Sequence, residues 1–143
     1  MPITCIAVPF DGLDAHAQYA VWQLRQQVFV VEQQCPYPDL DGYDLDPGTQ
    51  HVVLSDESTL LGYARVLDLV DAWRIGRVVL DQPARGRGLA DVVMNTALSV
   101  CPGRPVVLDA QAPLVGWYAT FGFVPEGEEF LEDGIPHQRM VRP

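Results

Sequence analysis

A turn rich in glycine and arginine is the part of this sequence best suited to bind phosphate. Residues 74–91 read RIGRVVLDQPARGRGLAD, an apolar strand that runs into the turn and then into a helix. Gly86 and Gly88 lack the Cβ atoms that would keep a ligand off the backbone. The first amides of the following helix have no intrahelical acceptor and lie at the positive end of its dipole. Because Arg85 and Arg87 add positive charge, we predict a phosphate site at this turn.

The spacing of the turn limits which phosphate ligand it could bind. The Walker A pattern GxxxxGK[ST] is excluded because the chain contains no lysine. The dinucleotide pattern GxGxxG is closer, but Asp91 stands at its third glycine, and a Rossmann unit usually begins its domain. Such a glycine pair can also serve only as a tight connection. A nucleotide-linked oxidoreductase is therefore the weaker alternative.

Read as Arg85-x-x-Gly88-x-Ala90, the turn resembles the [QR]xxGx[GA] motif of the GCN5-related N-acetyltransferase (GNAT) family. The strand before the motif and the helix after it come in the family's order. Two later stretches keep that order: residues 105–111 and residues 114–123. Three more resemble the ElaA-like branch of the family: residues 24–37, 39–46 and 133–137. The resemblance therefore covers nearly the whole chain.

The resemblance implies acetyl-CoA as cosubstrate, held in a wedge between two splayed strands. Its pantetheine would pair with backbone groups of Val78, Val79 and Leu80, and an amide near Val79 or Leu80 would face the oxygen where negative charge develops. Its diphosphate would lie on the amides of residues 86–91. From the turn onwards, the implied cofactor contacts are Arg85, Gly86, Arg87, Gly88, Leu89, Ala90, Asp91 and Gln111. Gln111 stands where many relatives carry asparagine.

Tyr118 is the side chain that the resemblance indicates for catalysis. Residues 117–123, WYATFGF, resemble the family's Y-x-x-x-G-F sequence, whose tyrosine protonates the departing CoA thiolate. A phenol with a pKa near ~10 can donate to a thiolate whose parent thiol has a pKa near ~8.5. Without the motif, an aromatic residue at this spacing would be interpreted as core packing.

The attacking amine must lose a proton, and three residues are candidates for the base. Glu32 follows an apolar run, His51 begins a strand, and His137 lies in a turn near the end of the chain. Each also has an explanation without catalysis, because structural ion pairs and hydrogen-bonded networks perturb acids and bases too. Cys35 as a covalent nucleophile lacks the support of a His-Cys arrangement, and a small buried thiol is the simpler interpretation.

A cluster of four aspartates is open to two interpretations. Its members are Asp39, Asp41, Asp44 and Asp46. A calcium loop is disfavoured because, counted from the first aspartate, Gly42 is fourth where the sixth position needs glycine, and Gln50 stands at the twelfth where glutamate is needed. The cluster is either an acidic lip that attracts an ammonium group or a solvated turn.

The composition narrows the partners of the chain. Its formal net charge is −10 at pH 7, which argues against a nucleic-acid surface and favours a cationic small molecule or basic peptide, unless the acidity serves only solubility. No apolar run approaches ~20 residues, and the start lacks the basic segment of a signal peptide, so we expect a cytoplasmic protein without a membrane contact. The three cysteines form no CxxC pair, so we predict neither a disulfide framework nor a metal site.

Hydrophobic periodicity indicates the elements that must position these residues, within one domain of residues 1–143. The predicted strands are residues 3–8, 51–54, 60–67, 74–80, 106–111, 128–131 and 137–141. The predicted helices cover residues 15–29, the segment after the glycine turn and the segment around Trp117. This order, β-α-β-β-β-α-β-α-β-β, is the mixed α/β sheet that the resemblance implies, with its fourth and fifth strands splayed apart.

Two functions from different classes are consistent with these observations. The first is an N-acetyltransferase that moves acetyl from acetyl-CoA directly to an amine in a ternary complex, with a small amine or a peptide as acceptor. The second is a non-catalytic acyl-CoA-binding or assembly protein of the same fold. The resemblance also implies a homodimer as a common assembly.

Overall fold

The computed structural model describes residues 2–143, in which strands and helices follow nearly the predicted order. The strands of this part of the chain are β1 (Ile3–Val8), β2 (Gln50–Asp56), β3 (Thr59–Asp68), β4 (Trp73–Leu80), β5 (Val106–Gln111), β6 (Val124–Pro125), β7 (Phe130–Glu132) and β8 (Ile135–Arg142). The α-helices are α1 (Ala15–Arg25), α2 (Leu89–Ser99) and α3 (Val115–Ala119). A π-helix (Gln26–Glu32) continues α1. Short 3-10 turns cover Phe10–Gly12, Tyr43–Leu45, Gln82–Ala84 and Ala112–Leu114.

All strands belong to one mixed sheet. Its order is β1-β2-β3-β4-β5-β8-β6, and β7 pairs with β8. β4 and β5 are its parallel neighbours, and their paired residues are Trp73 with Val106 and Arg74 with Val107. Beyond these two pairs, β4 and β5 have no ladder between them within the described chain, so the strands diverge into a wedge. The predicted splay of the fourth and fifth strands is confirmed.

A bulge in β4 changes the direction of its backbone as it enters the wedge. Val79 faces Tyr63 of β3, but Gly76 faces Arg65, so residues 77 and 78 together oppose a single residue of β3. Arg77 takes the left-handed conformation, with φ 53°. A bulge of this kind bends a strand and changes which groups its edge presents.

Two apolar layers hold the sheet between the helices. Val93, Met94 and Ala97 of α2 are fully buried against one face. Val21 and Leu24 of α1 pack on the other face. Helix α1 begins where the Asp14 carboxylate accepts a hydrogen bond from the Ala17 amide at 2.8 Å, a favourable N-cap. The wedge therefore opens between two helix layers that are themselves well anchored.

The structure differs from the predicted elements in three places. The first helix is α-helical only to Arg25 and continues as a π-helix to Glu32, beyond the predicted end at residue 29. Three β-branched residues in the QQVFVVE segment weaken the α-helical geometry there. The strand predicted at 128–131 lies at 130–132 as β7, and the short β6 was not predicted. In the segment from residue 2 to residue 143, no helix is long and apolar enough to cross a membrane.

Candidate functional site

The wedge between β4 and β5 opens into a cavity of about 810 Å³. Its walls come from the π-helix, from the divergent halves of β4 and β5, and from the turn between β7 and β8. Eight residues that the sequence indicated for the site line it: Glu32, Val78, Val79, Leu80, Arg85, Gln111, Tyr118 and His137. The fold therefore brings most of the predicted cofactor and catalytic residues to one cavity.

The glycine turn lies beside this cavity and is shaped by its backbone. Gly86 and Gly88 have φ 76° and 74°, in the left-handed region that other residues enter at a cost. No protein atom lies within 4 Å of a Cβ placed on either glycine. Glycine is thus required here by conformation, and the space beside it is open to a ligand. Gly88 is the N-cap of α2, so the amides of residues 89–91 form its first turn.

The other side chains of the turn have structural environments of their own. Leu89, the first residue of α2, is buried in the core, and Ala90 is half-buried. The Asp91 carboxylate accepts a hydrogen bond from the Trp117 indole at 2.8 Å, which ties the turn to α3. Arg87 is exposed. Of the two arginines at the turn, Arg87 is the one whose charge is directed to solvent.

Arg85 turns away from the glycines. Its Nε donates to the Leu80 carbonyl at 3.1 Å, and its two terminal nitrogens donate to the two Glu32 carboxylate oxygens at 2.9 and 3.1 Å. Glu32 is brought to this position by the end of the π-helix. The sequence assigned Arg85 to the phosphate and Glu32 to proton transfer, and it did not indicate that the two form a bidentate pair.

The end of β4 presents an amide to the wedge. The Asp81 N–H donates to the Leu61 carbonyl of β3 at 2.8 Å. Because backbone groups alternate sides along a strand, the amide and carbonyl of Leu80 point the other way, toward the wedge. Val79 faces Tyr63 directly in the β3–β4 ladder. Of the two predicted positions for an oxyanion donor, the alternation places the Leu80 amide on the open side.

Tyr118 lies on α3 at the wall of the cavity, nine-tenths buried. Its ring packs edge-on against Trp117 and Phe123. Burial raises the pKa of the phenol to about 12, so the hydroxyl keeps its proton at neutral pH. In the structure of residues 2–143 the hydroxyl makes no hydrogen bond, which leaves it available to a ligand in the cavity.

The two histidines considered as bases have different positions. His51 is buried away from the cavity, where its Nε2 lies 3.0 Å from the Asp44 carbonyl and its Nδ1 contacts the Tyr63 hydroxyl. Burial, together with nearby arginine charge, lowers the pKa of His51. Neither ring nitrogen can reach a substrate in the wedge, so the structure does not support His51 as the base.

His137, in contrast, lines the cavity. Its Nδ1 lies 2.7 Å from the Ile135 carbonyl, which can only accept, so Nδ1 carries the hydrogen. The neutral ring then has an unprotonated Nε2, which lies 3.9 Å from a Glu132 carboxylate oxygen. The Phe130 ring stacks on the imidazole with 5.9 Å between centroids. In a neutral His137 the unprotonated nitrogen is therefore Nε2, on a residue that lines the cavity.

The aspartate cluster proves to be an internal ion network. Three arginines bind three of its carboxylates: Arg25, Arg65 and Arg77 with Asp39, Asp41 and Asp44. The closest pairs include Arg25 with Asp39 at 2.9 Å and Arg65 with Asp41 at 2.8 Å. Burial opposes ionisation of Asp41, yet Arg65, the Tyr43 amide and Arg77 together lower the pKa of this carboxyl. The acidic-lip interpretation is wrong for these three carboxylates, because arginines separated widely in the sequence neutralise them.

Two further groups in the cavity have protein partners. The Cys35 thiol donates to the Asp133 carbonyl at 3.3 Å, and burial together with the Asp133 charge raises its pKa. A thiol held protonated in this way is a poor nucleophile. Gln111 donates to the Gln33 side chain at 3.3 Å, across the mouth of the wedge. Residues 2–143 contain no group of three His, Cys, Asp or Glu side chains placed to hold a metal ion.

Comparison with known proteins gives consistent results at the levels of sequence and structure. The profile of the family described as "Acetyltransferase (GNAT) domain" matches residues 17–142. The chain is 44% identical over 131 residues to Protein ElaA of Escherichia coli K12, covering 87% of this chain and 86% of ElaA. The crystal structure of E. coli ElaA matches with a TM-score of 0.93 and 39% identity, covering 99% of this chain and 100% of that one. An acyl-CoA N-acyltransferase from Pseudomonas aeruginosa matches with a TM-score of 0.92 and 40% identity, covering 99% and 100%. The predicted family, its ElaA-like branch and the acyl-CoA N-acyltransferase fold are confirmed.

Proposed function

This chain belongs to the GNAT acetyltransferase family, and on that premise we propose that it transfers acetyl from acetyl-CoA directly to an amine within a ternary complex. The observation that carries the proposal is Tyr118, which lines the cavity together with Leu80 and whose raised pKa keeps the hydroxyl protonated at neutral pH. An acid and an oxyanion donor at one cavity are what thioester aminolysis requires.

The chain offers groups for each part of acetyl-CoA. The amides of the first turn of α2 suit the diphosphate, because the left-handed glycines leave the approach to them open. The wedge-facing backbone groups of Val78 suit the pantetheine amides, whereas the Leu80 carbonyl is already bound by Arg85. Gln111 lies on the opposite strand of the wedge and can donate to the same arm. Arg85 is not assigned to the diphosphate, because its guanidinium is already bound.

The reaction balances as follows with these residues. The amine nitrogen forms a bond to the thioester carbon and the carbon–sulfur bond breaks, leaving an amide and free CoA. Negative charge on the carbonyl oxygen is stabilised by the Leu80 amide. Tyr118 gives its proton to the departing sulfur and regains one from water. Burial raises the pKa of a departing thiol as it does that of Tyr118, so the two proton affinities stay comparable. An ammonium ion first gives one proton to water, which frees the nitrogen lone pair, and His137 Nε2, or water beside it, takes the second proton as the amide forms.

The acceptor side of the cavity favours a cation. Glu132 and Asp133 line the cavity on the β7–β8 turn, and no arginine of residues 2–143 pairs with either carboxylate. This contrasts with the neutralised aspartate cluster. An amine that arrives as an ammonium ion would meet uncompensated negative charge at this turn. We therefore propose a small amine or a peptide amine as the acceptor.

Thiol release from acetyl-CoA across a panel of amines, on the wild type and on Tyr118→Phe, tests the proposal. Substitution of an acid normally costs about 10²- to 10⁴-fold in rate, so we expect kcat to fall in that range while CoA binding changes little. Phenylalanine keeps the edge-on ring packing, so the fold should persist. Amine-dependent release unchanged in the variant would remove Tyr118 from its role. CoA binding by the wild type without release for any amine would favour the acyl-CoA-binding alternative.

A further inference from the structure

A bridge of three residues crosses the edge of the wedge. It consists of the Glu32 carboxylate, the Arg85 guanidinium and the Leu80 carbonyl, which we call the Glu32–Arg85–Leu80 bridge. Glu32 ends the π-helix, Leu80 ends β4, and Arg85 begins the glycine turn. Three elements that are separate in the sequence are thus joined at one guanidinium.

The bridge fixes the peptide that follows the wedge-facing amide. The Leu80 carbonyl is held by Arg85 on one side, and the Asp81 N–H of the same peptide is held by the Leu61 carbonyl at 2.8 Å on the other. A peptide plane held from both sides limits rotation about the Leu80 Cα–C bond. The amide on the other side of that Cα, which faces the wedge, is restrained by the same contacts.

The geometry of Arg85 suits this role better than phosphate binding. Arginine has five N–H donors in a planar fork, and here three of them are used in one arrangement: one on Leu80 and two on both oxygens of Glu32. For the Arg85 guanidinium to reach a diphosphate that lies on the amides of the glycine turn, all three of these hydrogen bonds would have to break. The Glu32 carboxylate, with both oxygens engaged, is poorly placed to accept a proton from an amine.

We propose that Arg85 and Glu32 are positioning residues, which hold the Leu80 amide at the angle that transfer requires, and are neither a phosphate ligand nor a general base. The proposal rests on the proposed acetyl transfer. On this proposal, the backbone of the turn that follows Arg85 contacts the diphosphate, and the side chain of Arg85 does not.

The pair contributes little to folding, which makes a functional test clean. The Arg85 and Glu32 side chains are 39% and 42% exposed, and ion pairs at such exposure are weak and screened by salt. Urea unfolding of each variant measures that contribution, so that a loss of activity can be separated from a loss of folded protein. Glu126→Gln is the matched control, because it removes a surface pair with Arg139 at 3.3 Å that lies outside the cavity.

Two thioesters distinguish a positioning role from phosphate binding. They are acetyl-CoA and S-acetylpantetheine, which lacks the diphosphate together with the nucleotide. The variants are Glu32→Gln, Arg85→Gln and the double variant, each assayed for kcat and KM over a range of pH. Misplacing a catalytic group by about an ångström can cost about 10²-fold, so we expect kcat to fall about tenfold to a hundredfold with both thioesters. The double variant should be no worse than either single variant, and Glu126→Gln should match the wild type.

Other results would overturn the inference. A loss in Arg85→Gln with acetyl-CoA alone, accompanied by no loss in Glu32→Gln, would make Arg85 a phosphate ligand. Loss of the pH dependence in Glu32→Gln, with Arg85→Gln unaffected, would make Glu32 the base. If none of the amines supports thiol release by the wild type, the proposed transfer fails, and hydrogen exchange then tests the bridge by itself. Faster exchange of the Asp81 amide in both single variants supports it, and unchanged exchange contradicts it.

Discussion

Two histidines of this chain are held in opposite tautomers by the same kind of contact, a backbone carbonyl. At His51 the carbonyl of Asp44 faces Nε2, and the remaining nitrogen faces the Tyr63 hydroxyl. At His137, which lines the cavity, the carbonyl of Ile135 faces Nδ1, and the remaining nitrogen lies 3.9 Å from a Glu132 carboxylate oxygen. Residue type is therefore a poor guide to proton transfer, because the partner of the first nitrogen decides what the second can do.

Gly88 shows how much a single residue contributes when only its backbone matters. Its φ of 74° costs a non-glycine residue about 1–2 kcal/mol, and no protein atom lies within 4 Å of an added Cβ. We expect Gly88→Ala to lower the free energy of unfolding by about 1–2 kcal/mol. We also expect it to weaken CoA binding. Urea unfolding and titration calorimetry with CoA measure the two effects.

Gly103→Ala is the control for that prediction. Gly103 has the same φ of 74° and the same open surroundings, but it follows α2 at its other end. It should lose a similar amount of stability and keep its affinity for CoA. Equal affinity in both variants would show that the α2 N-terminus does not meet the cofactor.

At the scale of elements, an ion network anchors the loop after the π-helix to α1 and to the sheet. Arg25, the last residue of α1, is fully buried and donates to both Asp39 and Asp44. Its guanidinium also lies 5.7 Å from the Tyr63 ring. The bulge residue Arg77 pairs with Asp39 at 2.8 Å, so the network also holds the strained strand beside the wedge.

Removing Arg25 should therefore destabilise the protein strongly. Arg25→Met removes one of the two arginines that pair with each of two buried carboxylates, leaving Asp39 with Arg77 and Asp44 with Arg65. Breaking a buried pair from one side costs about 3–5 kcal/mol. Arg25→Lys should recover only part of the loss, because one ammonium cannot reproduce a planar fork shared by two carboxylates. Urea unfolding measures both, with Arg139→Gln, an exposed pair, as the reference that changes little. A loss below about 1 kcal/mol for Arg25→Met would mean that water replaces the network.

The sequence predicted the order of elements well because that order follows from local patterns. Apolar alternation and the glycine turn are short-range signals, and they placed β4, the turn and α2 correctly. The partners of Arg25 and Arg85 were not predictable, because those pairs join residues 14 and 53 positions apart. The π-helix was not predicted for a related reason. Whether a helix takes π or α geometry depends on its packing, and the propensity of its residues alone does not determine this.

At the scale of the whole molecule, the net charge of −10 conceals an uneven distribution. The densest group of carboxylates is neutralised internally, whereas the β7–β8 turn at the cavity has carboxylates without arginine partners among residues 2–143. One of the two interpretations left open by the sequence placed an acidic surface at the aspartate cluster, whose carboxylates arginines neutralise. The proposed cationic acceptor therefore rests on Glu132 and Asp133, which line the cavity and have no arginine partner among residues 2–143.

The buried network also makes the stability of the whole molecule depend on pH through His51. Burial lowers the pKa of His51 in the folded protein, whereas the unfolded chain binds a proton near pH ~6.5. The unfolded state therefore binds more protons as the pH falls. The stabilising effect of a neutral His51 is full above about pH 7, begins to decline near ~6.5 and is lost as the pH falls through the lower pKa of the folded state. We expect the free energy of unfolding to fall between pH 7 and 5 by at most ~1.4 kcal/mol per pH unit, the limit for one proton.

Urea unfolding at several pH values tests this with two variants. His51→Gln should be less stable throughout but lose the slope, and exposed His16→Asn should keep it. A slope that survives in His51→Gln would assign the proton uptake to another group.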